Sequence, residues 1–184
     1  MGSPNNLLSF ILAALICAAP LAGMNPEEGT AYWARLPEND FQSRLTRVAF
    51  DALGTPYADG PLGEGPDGRY DTDPLMDLSR VDCVTFVEQC IALAASRNHD
   101  EAFQRLQRIR YKEGQIDYEA RHHFFVTDWL AHNAWCKDIT GELGVETAKV
   151  TRTISRRDFF QRVNAPDLGH DTPDQKVTLS YVPV

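Results

Sequence analysis

The sequence predicts an α+β domain, on three observations. Apolar residues recur at helical spacing over residues 41–53, 82–95 and 100–110. Strand character follows in residues 145–154 and 177–183, the latter by alternation of apolar and polar side chains. The composition, 43% hydrophobic and 24% charged, is that of a globular chain rather than a disordered or fibrous one. The length of 184 residues suits one domain.

Residues 1–23 carry no charged side chain, and Leu7 to Cys17 form an apolar run. A membrane span needs about 20 such residues. The run instead fits the apolar stretch of a secretory signal, with cleavage expected near Ala22 or Gly23. A lipid anchor on Cys17 is disfavoured, because Ile16 stands where a small residue is wanted. The expectation is a signal peptide over 1–23, one domain over 24–184, a secreted or periplasmic location, and no membrane span after signal removal.

The domain should open with a helix capped by Asn39 or Asp40 and stopped by Gly54 before Thr55-Pro56. Residues 54–79 read as a long loop, a type that often carries function. The next helix starts after Asp82, a good N-cap, and its many apolar positions predict burial. A short helix over 100–110 and a turn at Lys112–Gln115 follow. Residues 122–135 are rich in aromatics and histidine, with His132 on a short helix. A strand near 145–154, a helix near 155–162, a turn-rich stretch and a last strand complete the chain.

Lys plus Arg number 18 and Asp plus Glu 26, a formal net charge of −8. That balance argues against nucleic acid, whose binding rests on phosphate neutralisation, and against an electrostatic hold on anionic lipid. The expected mature part holds Cys83, Cys90 and Cys136. On one helix Cys83 and Cys90 would lie about 10 Å apart, too far for a disulfide. No cysteine–histidine pattern has zinc spacing.

Cys83 is the sharpest candidate for chemistry. At the first position of a helix, free N–H groups and the helix dipole favour a thiolate, the nucleophilic form. The same N–H groups could hold an oxyanion. A buried, inert thiol is the competing reading. A nucleophilic cysteine needs a base, usually histidine. His123 lies in Arg121-His122-His123-Phe124 with Asp128-Trp129 close behind, where a packing role competes with a site role. Gly54-Thr55-Pro56-Tyr57 reads alone as a turn.

Three segments together carry a resemblance: Leu53 to Tyr57, Val81-Asp82-Cys83-Val84-Thr85-Phe86-Val87-Glu88, and Arg121 to Trp129. Ile109-Arg110-Tyr111 and Leu179 to Pro183 support it. The chain resembles the N-acetylmuramoyl-L-alanine amidase-like family of unknown function (DUF1460), related to the papain-like NlpC/P60 cysteine peptidases. The resemblance implies an exported hydrolase that cuts amide bonds in the peptide part of bacterial peptidoglycan, with no metal or organic cofactor. It implies Cys83 as nucleophile, His123 as a candidate base, and Tyr57, Asp82, Asp128 and Trp129 at the substrate. The family continues past the Ser-Tyr-x-Pro segment to a strand carrying a histidine, so the central antiparallel sheet is expected to be incomplete in this chain and the domain shortened at its C-terminal end. The alternative is an exported, non-catalytic cell-wall binding module or inactive fragment, with Tyr57 and Trp129 lining its groove. The oligomeric state is not legible.

Overall fold

The computed structural model describes residues 21, 24, 31–37 and 40–183. The expected signal peptide lies outside them except for Leu21, which is buried. Asn39 is also outside, and Asp40 caps the first helix.

Helix α1 spans Phe41–Asp51, and Asp40 Oδ1 accepts from Ser43 N at 2.7 Å. Gly54, at φ 87°, ends the element in the left-handed region open to glycine. Helix α2, Cys83–Ala94, packs against both α1 and α3, His99–Arg110. Residues 88–94 of α2 are all buried, which a helix central to the core requires. Arg44 donates from Nε to the Ala94 carbonyl at 2.5 Å and from Nη2 to that of Ser96, satisfying carbonyls at the end of α2. Asp100 and Glu101 begin α3, and Arg108 and Arg110 end it, in accord with the helix dipole.

Two apolar clusters meet at α2. One gathers Leu21, Trp33, Leu36, Val48 and Leu93, and the other Leu62, Ile91, Leu106, Ile109 and Trp129. Cys90 belongs to the first, and burial pushes its thiol up to about 12. It is thus the inert cysteine that its helix position predicts.

The expected turn after α3 is a single 3₁₀ turn, Lys112–Gly114. A π-type turn at Phe125–Trp129 runs into α4, Leu130–His132. Strand β1, Ala148–Ile154, then α5, Arg156–Arg162, then β2, Gln175–Tyr181, complete the fold. The strands pair antiparallel with Val150 opposite Leu179, and both are shorter or shifted relative to the sequence pattern. Pro183, which has no N–H to give a ladder, lies beyond β2. The fold is therefore α+β, with a two-stranded sheet among the described residues. No helix among them is long and apolar enough to cross a membrane.

Candidate active site

Asp82 builds the start of α2. Its Oδ1 accepts from Val84 N at 2.9 Å and Thr85 N at 2.7 Å, while its own N–H donates to Thr85 Oγ1 at 2.8 Å. This reciprocal capping box fixes where the helix begins. Cys83 is thereby the first helical residue, and it is exposed. The sequence suggested several free N–H groups here. Asp82 takes two of them, and the Phe86 N–H enters the helix ladder to the Asp82 carbonyl. Cys83 N–H alone in this first turn has no protein partner among the described residues.

Tyr57 is held beside this helix start by main-chain bonds. Val81 N donates to the Pro56 carbonyl, and Ala58 N to the Val81 carbonyl, each at 3.0 Å. The result is a one-residue parallel bridge between Tyr57 and Val81. Tyr57 is 72% exposed, and Val87, one turn along α2 from Cys83, is exposed too. The first two sequence segments are therefore joined just before the start of α2, and each carries exposed side chains.

The third segment, Arg121 to Trp129, holds the long loop at one end and packs against the buried side of α2 at the other. Arg121 reaches Glu64 Oε1 from Nε at 2.8 Å and Asp71 Oδ2 from Nη2 at 2.9 Å. Arg110 Nη2 donates to the Leu62 carbonyl at 2.8 Å, and the Tyr111 hydroxyl lies 2.8 Å from the Gly63 carbonyl. These three side chains clamp the long loop. Its turns are tight enough that a Cβ on Gly68 would stand 2.2 Å from the Asp71 carbonyl oxygen.

His123 packs inside an aromatic cluster. Its ring centroid is 4.8 Å from those of both Tyr118 and Phe159, and it meets Phe160 edge-on. Nε2 lies 2.6 Å from the Tyr118 carbonyl, so it carries the ring proton and donates it. Burial pulls this imidazole down to about 4. No histidine hydrogen-bonds Cys83 among the described residues.

Asp128 is buried and gripped from both oxygens by Arg156, with Nη1 to Oδ2 at 2.9 Å. Burial pushes this carboxyl up, but the Arg156 hydrogen bonds and charge outweigh that and hold it below the usual range. Trp129 is 1% exposed, so its ring belongs to the core rather than to a groove. Its indole N–H donates to Glu88 Oε1 at 2.8 Å. Glu88 stands five residues after Cys83 on the buried side of α2, with Arg110 Nε 3.8 Å from its other oxygen. Burial lifts Glu88 to about 7, against the opposing charge of Arg110 and the hydrogen bond from Trp129. Asp128 and Trp129 thus support α2 and the adjoining turn from within. Glu88 and Arg110 entered the sequence reading only as members of the resemblance segments, without a role, and Glu64 did not enter it. Arg121, beside two histidines and two phenylalanines, is the one local hint of a buried acidic partner, whereas Arg110 ends a helix that also carries Arg105 and Arg108.

The fold has solved counterparts. The chain superposes on protein LPG0564 from Legionella pneumophila with a TM-score of 0.76 at 23% identity, covering 86% of this chain and 62% of that one. An N-acetylmuramoyl-L-alanine amidase from Bacteroides uniformis, in two crystal structures, gives TM-scores of 0.53 and 0.51 at 20% and 23% identity. Those matches cover 74% and 72% of this chain and 63% and 55% of the amidase. The chain thus spans between 55% and 63% of the length of these relatives. No curated protein matches the sequence. The sequence model of the N-acetylmuramoyl-L-alanine amidase-like proteins matches residues 47–183, a range that holds the Tyr57 bridge, the Asp82 cap and Cys83. By that match the protein belongs to the N-acetylmuramoyl-L-alanine amidase-like (AmiA-like) family.

Proposed function

We propose that the protein hydrolyses amide bonds in the peptide part of bacterial peptidoglycan, outside the cytoplasm, with Cys83 as nucleophile. The observation that carries this reading is the exposed thiol of Cys83 at the first position of α2, next to its own unpartnered N–H. Family membership supports the substrate class. In this reading the domain is papain-like and related to the NlpC/P60 peptidases, whose nucleophile also begins a helix.

The Cys83 thiolate attacks the amide carbon, and the oxyanion develops within reach of the Cys83 N–H. A histidine takes the thiol proton and returns it to the leaving amine as the C–N bond breaks. Water then hydrolyses the thioester, releasing the acid and restoring the thiol. Tyr57, beside the helix start, supplies an exposed ring and hydroxyl to the substrate. Asp82 acts through the backbone, holding the first turn in place.

A second reading, a non-catalytic cell-wall binding module, is favoured by the lack of a histidine hydrogen-bonded to Cys83 among the described residues. Incubation with purified cell wall separates the two. Hydrolysis predicts soluble peptide fragments with new amino termini, lost in Cys83→Ala. Sedimentation with the wall but no fragments, equal in wild type and Cys83→Ala, selects the binding module. Rapid labelling of Cys83 by iodoacetamide near neutral pH, with Cys90 protected until denaturation, supports the nucleophile. Cys83 labelling no faster than Cys136 counts against it.

A further inference from the structure

A cavity of about 260 Å³ lies between the turn after α3, the 119–132 segment and α5. Lys112, Arg121, His122, His132 and Arg156 all line it, a gathering of basic groups in a chain of net charge −8. Cys83 is not among its lining residues.

The basic groups differ in how far they are already engaged. Arg121 is bound to Glu64 and Asp71, and Arg156 to Asp128, so these two shape the wall and lend residual donors. Lys112 has no acidic partner among the described residues. The His122 and His132 rings stack 5.0 Å apart at 16°. His132 Nδ1, 2.7 Å from the Asp128 carbonyl, donates to it, which leaves Nε2 to gain a proton only when the ring charges. Glu119 is the remaining lining acid, and the Phe160 ring and Thr172 add an apolar face and a hydroxyl. Asp128 adds no net charge of its own, because Arg156 cancels it.

We propose that this cavity binds a small carboxylate, held by Lys112 and by His122 and His132 in their charged forms, with the Phe160 ring against its carbon skeleton. A carboxylate fits better than a phosphate because one wall is aromatic and only Lys112 offers a permanent charge without a partner. In the empty cavity, burial and the neighbouring His132 pull His122 below its ordinary value. An anion between these groups reverses that balance, since each proton gained adds an attraction. Binding therefore strengthens as pH falls. The groups that face the pair and set the effect are Lys112, Glu119, Arg121, Asp128 and Arg156. The site does not depend on the hydrolase reading.

The test uses the full chain, N-acetylglycine as probe, inorganic phosphate as a second arm and N-acetylglycinamide as the uncharged control. Imidazole C2–H resonances assigned by His122→Gln and His132→Gln report occupancy. N-acetylglycine is expected to shift both resonances saturably and raise the His122 titration midpoint, with affinity about tenfold higher at pH 5.5 than at pH 8, the effect of one linked proton. Lys112→Ala, at an exposed position that does not threaten folding, should weaken binding about tenfold. The uncharged control should do nothing. Equal shifts from the control, no saturable shift from N-acetylglycine, saturation by phosphate alone, or unchanged affinity in Lys112→Ala would each overturn the proposal.

Discussion

The indole N–H of Trp129 points at Glu88 Oε1 across 2.8 Å, inside the core and on the helix that Cys83 begins. Trp129→Phe keeps most of the ring and removes the donor. A buried acceptor left unmet costs about 1–3 kcal/mol. We expect a loss of that size in urea unfolding at neutral pH. A change under about 0.5 kcal/mol, the range of inconsequential substitutions, would show that the bond contributes little.

Glu88 should also make the protein less stable as pH rises through the range where other acids are already ionised. Its folded value is lifted to about 7 from the ordinary 4.5. Between those values the unfolded chain has lost a proton that the fold retains, so stability falls as pH rises and levels off above about 7. Glu88→Gln should remove this component. The measurement is unfolding free energy against pH for both proteins, and parallel curves would refute the assignment.

His123 contributes with the opposite sign. The fold holds it near 4, below the ordinary 6.5. Between these values the unfolded ring takes a proton that the folded ring refuses, so this contribution weakens as pH drops from about 6.5 to about 4. Its C2–H resonance should titrate with a midpoint near 4. A midpoint at or above 6 would mean that the ring is solvated and free of the Tyr118 carbonyl.

The Asp82 cap predicts a contrast between two substitutions. Asp82→Ala removes the acceptor of the Val84 and Thr85 N–H groups and should cost about 1 kcal/mol, within 0.5–2. Asp82→Asn keeps an acceptor oxygen and should cost less. Thermal unfolding of both variants checks the order, and equal losses would point to the charge rather than the cap.

Arg156→Met strands the Asp128 carboxylate in the protein interior, with only the Phe124 N–H and Thr127 hydroxyl left to it. Destabilisation of about 1–3 kcal/mol is expected. Asp128→Asn in the same background should recover part of it, because the buried charge is gone. A double-mutant cycle with no coupling would exclude the pair as a stabilising unit.

How much of this could be read beforehand follows the distance over which each signal acts. Asp82 before an apolar run announces its helix within three residues, and the cap and Cys83 stand where the pattern put them. Asp40, Ser155 and the alternation at Val177 to Tyr181 are equally local. The loop clamp is not. Arg121 finds Glu64 57 residues away, and Tyr111 finds Gly63 48 residues away, so no window of sequence holds both partners. Trp129 shows the same limit. Its aromatic neighbourhood suggested a groove, whereas its partner, 41 positions earlier, makes it part of the core. His123 likewise meets Phe159 and Phe160 only once the chain has folded back.

The bridge between Tyr57 and Val81 acts as the neck of a purse: two main-chain bonds draw the chain shut, and Arg110, Tyr111 and Arg121 stitch the enclosed segment down. Closing such a ring depends only weakly on its circumference, since doubling the enclosed length adds about 0.6 kcal/mol of lost chain freedom. Closure alone thus leaves the length of the enclosed segment loosely set away from the Gly65–Gly68 turn, where the Gly68 N–H donates to the Gly65 carbonyl at 2.8 Å. The neck has no such freedom. Moving it by one residue would put a different side chain at the bridge and turn the Tyr57 ring to the opposite face of the chain.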